Sequence, residues 1–464
     1  SELEAHIYGQ VREGCYRYTD DLLALEGYWT KCLANHPDTQ FASYIQSGIQ
    51  SGFRIGFNRH SPLLSASSNM ACSNPEVIHK YLAREVSLGR MFTRPPQSDV
   101  HISPLGIIPK KNKPGKWRLI VDLSSPHGQS VNDGIDTSAS SLRYPTVDDL
   151  ASLIVRNGRG AFIVKADIKE AYRNIPIHPD DYGLLGVQWN GTVFVDKFLP
   201  FGLRSAPKIF SAVADAAQWV LTENGVRQVL HYLDDFALVE RNQATALESK
   251  ITLCSVFGSL GLPLEPSKLE GPTTCLTFLG IEVDTVSLQL RLPTDKLDRL
   301  LNELKEVQGR KVISKRELQS LTGLLQHACK VVRPGRAFLQ RLYALEKVGS
   351  APDHHIRLNV AARADVMWWQ LFVSHWNGVS MLCDPKHSKA DIQVKELIPV
   401  VIAAALFGRS WRGKLIVFSV DNQAVVHILN NTHSKESHLM HLIRLLAFYA
   451  SYYDFWFRAE HIPG

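Results

Sequence analysis

Long apolar runs are missing from this chain of 464 residues. The longest, Leu397 to Phe407, is about half of the roughly 20 residues that a bilayer crossing needs. The N-terminus has no basic region followed by an apolar one, so a secretion signal is also missing. No membrane is expected among the partners, and an intracellular setting, cytoplasmic or nuclear, is expected. Cysteine is sparse. The seven residues Cys15, Cys32, Cys72, Cys254, Cys275, Cys329 and Cys383 include no pair at the two-residue spacing of zinc ligands, and they read as reduced thiols. A strong charge of one sign is lacking too: 51 Lys and Arg against 45 Asp and Glu leave +6, a weak lean toward a polyanionic partner. No internal repeat is visible. The chain has no Met at Ser1 and stops at His461-Ile462-Pro463-Gly464, so a segment of a longer product is expected.

What is present is a globular composition, 45% hydrophobic and 21% charged, in a chain long enough for about three or four lobes. Residues 1–75 read as a leader that ends in a polar stretch, Ser61 to Pro75, suited to a flexible connection. A helix is expected from Pro75, with Val77, Ile78, Tyr81, Leu82 and Val86 as its apolar stripe. Strands are expected at Ile102–Ile108 and Arg118–Leu123, joined by the basic loop Lys110 to Lys116. Further strand patterns lie at Phe162–Ala166, Thr192–Phe198, Val229–Tyr232 and Phe236–Val239, interleaved with helical patterns at Tyr144–Arg156 and Pro207–Thr222. From Asp295 to Leu345 the period is helical throughout, capped at Thr294 or Ser314 and broken at Pro334-Gly335. The tail returns to α/β: helix Val394–Leu406, strand Leu415–Val420, helices Gln423–Leu429 and Ser437–Tyr449, strand Phe455–Ala459.

Chemistry concentrates at Tyr232-Leu233-Asp234-Asp235, where apolar residues run up to two acids and Phe236 to Val239 runs away from them. Adjacent carboxylates at a hairpin tip repel unless cations neutralise them, so the pattern implies a metal site or a solvated turn. A second apolar strand, Ala161 to Ala166, ends in Asp167. If the two strands lie side by side, Asp167 and Asp234 can share two Mg²⁺ ions about 3.5 to 4 Å apart, clamping the attacking and leaving oxygens of an in-line phosphoryl displacement. Three acids suffice, because magnesium prefers a few carboxylates plus substrate phosphates.

These residues resemble the reverse transcriptase family. Tyr232-Leu233-Asp234-Asp235 matches its tyrosine-any-Asp-Asp motif, and Asp167 to Tyr172 matches its first catalytic motif. Other blocks follow in family order: Ile108-Pro109-Lys110-Lys111 through Lys116 to Asp122, Leu199-Pro200-Phe201-Gly202-Leu203 with Ser205-Ala206-Pro207, and Phe278-Leu279-Gly280 at the primer grip. The leader, with Phe41 to Ile45 and Gly52 to Phe57, resembles retroelements of the DIRS, tyrosine-recombinase kind.

The resemblance implies Asp167, Asp234 and Asp235 as catalytic acids and, with the Ile168 carbonyl, as holders of two Mg²⁺ ions, Mn²⁺ being an alternative. It implies that Tyr172 packs under the sugar and excludes a 2′-hydroxyl; a plain core aromatic is the other reading. Arg118 with Lys110 or Lys111 would hold the triphosphate, against the alternative of a solvated basic loop. Phe201 and Gly202 would lie against nucleotide and template, although retroviral members carry Gln where this chain has Phe201. Glu170 reads as a surface acid. Leu279 and Gly280 would form the primer grip. Basic residues of the helical lobe, among them Lys311, Lys315, Arg316, Lys330, Arg333 and Arg336, could meet a duplex backbone.

In the tail, Glu396, Asp421 and the His-Ile-Pro-Gly block resemble ribonuclease H, with Asp384 or Asp391 as the nearest candidates for its first acid. The strands before the Glu helix are missing and the family's last Asp would follow the block, so an incomplete domain with weak or lost cleavage is expected. The fold expected is α/β and α+β multidomain: a right-hand polymerase followed by an incomplete ribonuclease H-like α/β domain. Its expected parts are a leader at 1–75, fingers and palm at 76–290, a helical thumb at 291–350, a connection at 351–380 and the ribonuclease H-like part at 381–464. The resemblance implies an RNA-directed DNA polymerase whose partners are an RNA template, a DNA primer, RNA–DNA hybrid, deoxynucleoside triphosphates and other parts of a retroelement polyprotein. The alternatives are a catalytically degenerate nucleic-acid-binding relic and an RNA-directed RNA polymerase.

Overall fold

The computed structural model describes residues 22–462 apart from 71, 73, 110–114, 116, 141–143, 349–350, 376 and 382–391. The chain divides into two compact units, Ser1–Leu279 with Asp284–Ser287, and Gly280–Val283 with Leu288–Gly464.

The first unit opens with helices α1 (Leu22–Leu33) and α2 (Thr39–Ser51). Asp38 starts α2 by accepting the Phe41 N–H at 2.9 Å, the usual way an Asp satisfies a donor left over at a helix start. These helices do not stand apart as the expected leader would. Trp29, Ile45, Phe53 and Ile55 are fully buried in the main core, and the Trp29 indole donates to the Leu260 carbonyl at 3.0 Å. The polar stretch after Ser61 is not loose either: Leu64, Ala66 and Met70 donate backbone N–H groups to Gln129, Ile102 and Leu105.

Helix α3 (Pro75–Ser87) begins on its proline, as expected. Strand β1 (Met91–Arg94) follows, then the antiparallel hairpin of β2 (Leu105–Pro109) and β3 (Trp117–Val121). Both strands are shorter than the apolar pattern implied, and Ile102 lies outside them in an isolated bridge to Gly186. A capping box between Thr146 and Asp149 sets the start of α4 (Val147–Asn157) later than Tyr144. Strands β4 (Phe162–Asp167), β5 (Gly186–Trp189) and β6 (Thr192–Asp196) come next, and the order β1-β6-β5 makes a three-stranded sheet.

Helix α5 (Ala206–Glu223) buries Ile209, Phe210, Val213, Ala217 and Leu221 at helical spacing. Strand β7 (Val229–Tyr232), strand β8 (Asp235–Glu240), helix α6 (Gln243–Ser259), β9 (Glu270–Thr273) and β10 (Cys275–Phe278) complete the unit. The central sheet has the order β7-β8-β4-β9. Side chains alternate between its faces. Val164 and Ala166 of β4, with Phe236 and Leu238 of β8, enter the core with Phe210 and Phe257. Each fully buried large apolar side chain there contributes roughly 1.5–3 kcal/mol. The same alternation turns Asp167 and Asp235 to the opposite face.

The second unit carries β11 (Ile281–Asp284) and β12 (Gln289–Arg291), then α7 (Thr294–Gln308), β13 (Val312–Ser314), α8 (Lys315–Ala328) and α9 (Gln340–Glu346). The helical period therefore has an interruption: β13 pairs antiparallel with β14 (His355–Arg357). Of the two expected caps, Ser314 forms a capping box with Glu317, whereas Thr294 is already inside its helix behind Pro293. After α10 (Val360–His375) and β15 (Val379–Ser380), the tail forms α11 (Ile392–Phe407), β16 (Leu415–Val420), α12 (Gln423–Asn431), α13 (Ser437–Tyr453) and β17 (Trp456–His461). β16 and β17 run parallel in register from Leu415↔Trp456 to Val420↔His461, which requires the crossover that α12 and α13 supply. Leu397, Ala404, Val425, Leu429, Ile443 and Leu446 form the small core beneath.

Among the described residues no disulfide joins Cys32, Cys72, Cys254, Cys275 and Cys329, and no helix is long and apolar enough to cross a membrane.

Candidate active site

Two strands from distant parts of the sequence bring the three acids together. β4 and β8 pair antiparallel with Asp167 directly opposite Asp235, and the Ile168 N–H donates to the Asp234 carbonyl at 3.0 Å. Tyr232 and Asp235 close the β7–β8 hairpin, leaving Leu233 and Asp234 as its two-residue tip. Leu233 has φ 52°, a left-handed conformation that costs a branched residue energy. Two-residue hairpins need positive φ to match strand twist, so this strain is what turns the acids back onto the sheet.

Like charges facing each other across a ladder are unfavourable, and the carboxyls register it. Asp234 is pushed above the usual carboxylate range, by burial first and by Asp167 second. Asp235 is pushed up to about 6, chiefly by burial, with Asp167 and Asp234 adding to it and Lys165 and Lys268 opposing. Among the described residues the one cation in direct contact is Lys268, whose ammonium donates to Asp167 Oδ2 at 2.7 Å. Burial works most strongly against the charge on Lys268, but its bond to Asp167 and the charges of Asp167, Asp234 and Asp235 together outweigh that and hold it above the ordinary lysine value. Nothing in the sequence flagged Lys268; it sits in a turn after Glu265-Pro266 and reaches the site only through the fold.

Among the described residues, no three acidic, histidine or cysteine groups are drawn together closely enough to ligate one ion as they stand. The donor chemistry nonetheless fits divalent cations. Asp167 and Asp235 face each other across the sheet with Asp234 at the adjoining tip, two of the three are held above their ordinary values by burial and mutual repulsion, and hard oxygen donors of this kind suit magnesium or manganese.

Around the acids, Tyr172 lies on a 3₁₀ turn, Ala171–Asn174. Its ring is 5.3 Å from that of Phe201 and 5.7 Å from that of Phe210, and burial pushes its hydroxyl up to about 12. Phe201 is 57% exposed, available to an incoming molecule rather than packed away. Gly202 has φ 91°, a conformation that other residues rarely adopt, and an added Cβ would be in ordinary contact with the Val121 carbonyl of β3. Its own carbonyl accepts from Asn132 Nδ2 at 2.9 Å, and Asn132 Oδ1 accepts the Arg204 N–H at 2.8 Å, which fixes the loop. Arg118 is exposed on β3; Lys110 and Lys111 lie outside the described residues.

Glu170 is not the surface acid expected. It is tied to Arg84 at 2.9 Å and to Arg90 at 2.6 Å. Leu279 and Gly280 both have positive φ, 48° and 74°. Within the second unit the Gly280 carbonyl accepts from Lys296 Nζ at 3.1 Å and lies 3.0 Å from His327 Nε2.

In the tail, Asp421 follows β16 exposed, with its backbone carbonyl 3.2 Å from His461 Nε2. Glu396 is half-buried on α11, its Oε2 without a hydrogen-bond partner among the described residues. Asp384 and Asp391 lie outside the described residues.

Comparison with known proteins gives this arrangement a class. Solved structures of a foamy viral protease-reverse transcriptase share the mixed α/β polymerase fold. One in complex with double-stranded DNA aligns with TM-score 0.51 and 13% identity over 94% of this chain and 96% of its own, and one with an RNA/DNA hybrid gives 0.52 at 13% over 94% and 62%. Residues 108–283 match the family described as reverse transcriptase (RNA-dependent DNA polymerase). The chain thus contains a reverse transcriptase domain of the kind found in retroviral and retrotransposon Pol polyproteins. Relatives include the Gag-Pro-Pol polyprotein of mouse mammary tumor virus (strain BR6), 28% identical over 45% of this chain and 12% of the relative. The Pro-Pol polyprotein of feline foamy virus is 24% identical over 52% and 19%, and the retrovirus-related Pol polyprotein from transposon opus of Drosophila melanogaster is 22% identical over 58% and 26%. The chain therefore spans from about an eighth to about a quarter of the length of these relatives.

Proposed function

We propose that the chain extends a DNA primer on an RNA or DNA template, adding deoxynucleotides by nucleotidyl transfer at Asp167, Asp234 and Asp235. The observation that carries this reading is the cross-strand pairing of Asp167 with Asp235 at the end of a sheet, with Asp234 beside them at the hairpin tip. Asp167 and Asp234, with the Ile168 carbonyl and with Asp235 in support, would hold two Mg²⁺ or Mn²⁺ ions. When bound, such ions polarise the attacking 3′-oxygen and the leaving phosphate oxygens.

The chain's own groups orient and exclude. Tyr172, backed by Phe210 and Phe201, would stand under the sugar where a 2′-hydroxyl would project. Gly202 lets the backbone approach the base pair closely. Arg118, with Lys110 or Lys111, would neutralise the triphosphate. Leu279 and Gly280 would steady the primer end.

In this reading residues 76–290 serve as fingers and palm, 291–350 as a thumb, 351–380 as a connection and 381–464 as a ribonuclease H-like part; 1–75 precede them. The RNA template, primer, RNA–DNA hybrid and other parts of a retroelement polyprotein are the partners, inside the cell in cytoplasm or nucleus. The leader motifs favour an element of the DIRS kind. Cleavage of the RNA strand would be weak or lost, since the candidates for a first acid, Asp384 and Asp391, stand only 12 and 5 residues ahead of Glu396, too few for the strands that the family has between them.

Primer extension on an RNA template with Mg²⁺ tests the proposal. Asp234→Asn should abolish synthesis and leave duplex binding nearly intact; equal extension by both proteins contradicts it.

A further inference from the structure

At the turn that carries Tyr172 six charged side chains meet, three arginines and three acids. Arg173 donates from Nε and Nη2 to Glu85 Oε2 at 3.1 and 2.8 Å, and its Nη2 lies 2.7 Å from Asp196 Oδ1. Its Nη1 donates to the Phe198 carbonyl at 3.2 Å. Glu170 holds Arg84 and Arg90, and Arg90 lies 3.8 Å from Glu85. The side chains of Glu85 and Arg173 are 1% and 4% exposed. Glu170 and Arg173 bracket Tyr172 in sequence, so both sides of its turn are tied to charges from α3 and β6. Glu170 itself sits at φ 51°, a conformation that persists only where surroundings impose it.

A buried ion network is a poor device for stability alone, because desolvation consumes most of the Coulombic gain and apolar packing can do as well. What it supplies is a fixed geometry: a planar guanidinium with two acids and a carbonyl admits one placement. A cavity of about 30 Å³, room for a water, lies between this network and the exposed ring, lined by Arg173, Asp196, Tyr81, Leu119 and Phe201. The network thus shares a cavity with Phe201 and reaches Tyr172 through the turn that Arg173 shares with it.

We propose that Glu85, Arg173 and Asp196 are positioning residues that fix Tyr172 and Phe201 and so set how strictly deoxynucleotides are chosen over ribonucleotides. This rests on the polymerase reading above. None of the three reaches substrate; they act through the turn Ala171–Asn174.

The test uses Glu85→Gln, which keeps shape and removes the charge. In primer extension the ratio of kcat/KM for deoxynucleotide to that for ribonucleotide should fall about tenfold, the loss expected when an aromatic wall shifts by a fraction of an ångström. The change should appear in KM for the ribonucleotide, with kcat for the deoxynucleotide little altered. In parallel, 3-fluorotyrosine placed at position 172 should give one ¹⁹F resonance in the parent and a broadened or split one in the variant. Equal losses for both nucleotides with an unchanged ¹⁹F line overturn the proposal and leave the network a structural strut. If Glu85→Gln does not fold, Glu170→Gln, at a side chain 31% exposed, reads the same two quantities. If the parent chain shows no synthesis, the polymerase reading fails separately, while the ¹⁹F line still decides whether the network positions Tyr172.

Discussion

The ammonium of Lys268 lies 2.7 Å from Oδ2 of Asp167, so the acid on β4 already has a cationic partner from a loop about a hundred residues further along the chain. Lys268 balances part of the charge of three neighbouring carboxylates, and in the proposed reading it would compete with a metal for Asp167.

Lys268→Ala should therefore destabilise the metal-free chain by about 1 kcal/mol, a figure kept small because the lysine is half-exposed and screened. Added Mn²⁺ should then raise the melting temperature more in the variant than in the parent, since no ammonium competes. A thermal melt in EDTA and in Mn²⁺ reads both, and an equal Mn²⁺ shift in the two proteins would sink the idea.

Asp235→Asn removes one of two like charges that face each other across β4 and β8. The metal-free protein should gain about 1 kcal/mol, in line with relief of a cross-strand repulsion, while synthesis is lost. Denaturant unfolding in EDTA alongside primer extension checks the pair of effects; a less stable variant would show that the repulsion is not felt.

Glu317 gives the clearest pH dependence. The Arg310 guanidinium, followed by the Ser314 N–H and hydroxyl, holds its carboxyl down at about 2, against an ordinary value of 4.5. A value depressed in the folded state means stability that is fully present above 4.5 and lost as pH falls toward 2. Glu317→Gln should cost about 0.5 kcal/mol at neutral pH, the scale of an exposed cap and ion pair, and the difference should vanish near pH 2. Melting curves over that range decide it, and a gap that persists at the acid end contradicts the assignment.

Trp29→Ala should cost about 3 to 5 kcal/mol, the range for emptying a buried tryptophan site. Its ring is fully buried in the same core as Phe210 and Phe236. If the N-terminal helices were a separate leader, unfolding monitored at the central sheet would hardly change.

Much of the site was legible because its signals are local. An apolar strand ending in Asp167, and apolar residues on both sides of Asp234-Asp235, declare strand and turn without help from the rest of the chain. The capping box at Ser314 and the proline start of α3 are equally local. What the sequence could not show depends on contacts over long separations: Trp29 reaches Leu260, Lys268 reaches Asp167, and Glu85 reaches Arg173. Arg173 did carry a faint signal, a charge set among Ala171, Tyr172 and Ile175 where apolar residues would be expected. Its meaning depended on Glu85 and Asp196, which no spacing rule places beside it. Glu170 was misread for the same reason, since its partners Arg84 and Arg90 are some eighty residues away.

The most direct measurement is anomalous scattering from Mn²⁺ in crystals of the chain with a template-primer and a non-hydrolysable deoxynucleotide. Two peaks about 3.5 to 4 Å apart, held by Asp167 and Asp234, are predicted, with Lys268 displaced from Asp167. A single peak elsewhere, or the same two peaks persisting in Asp167→Asn, would contradict the account.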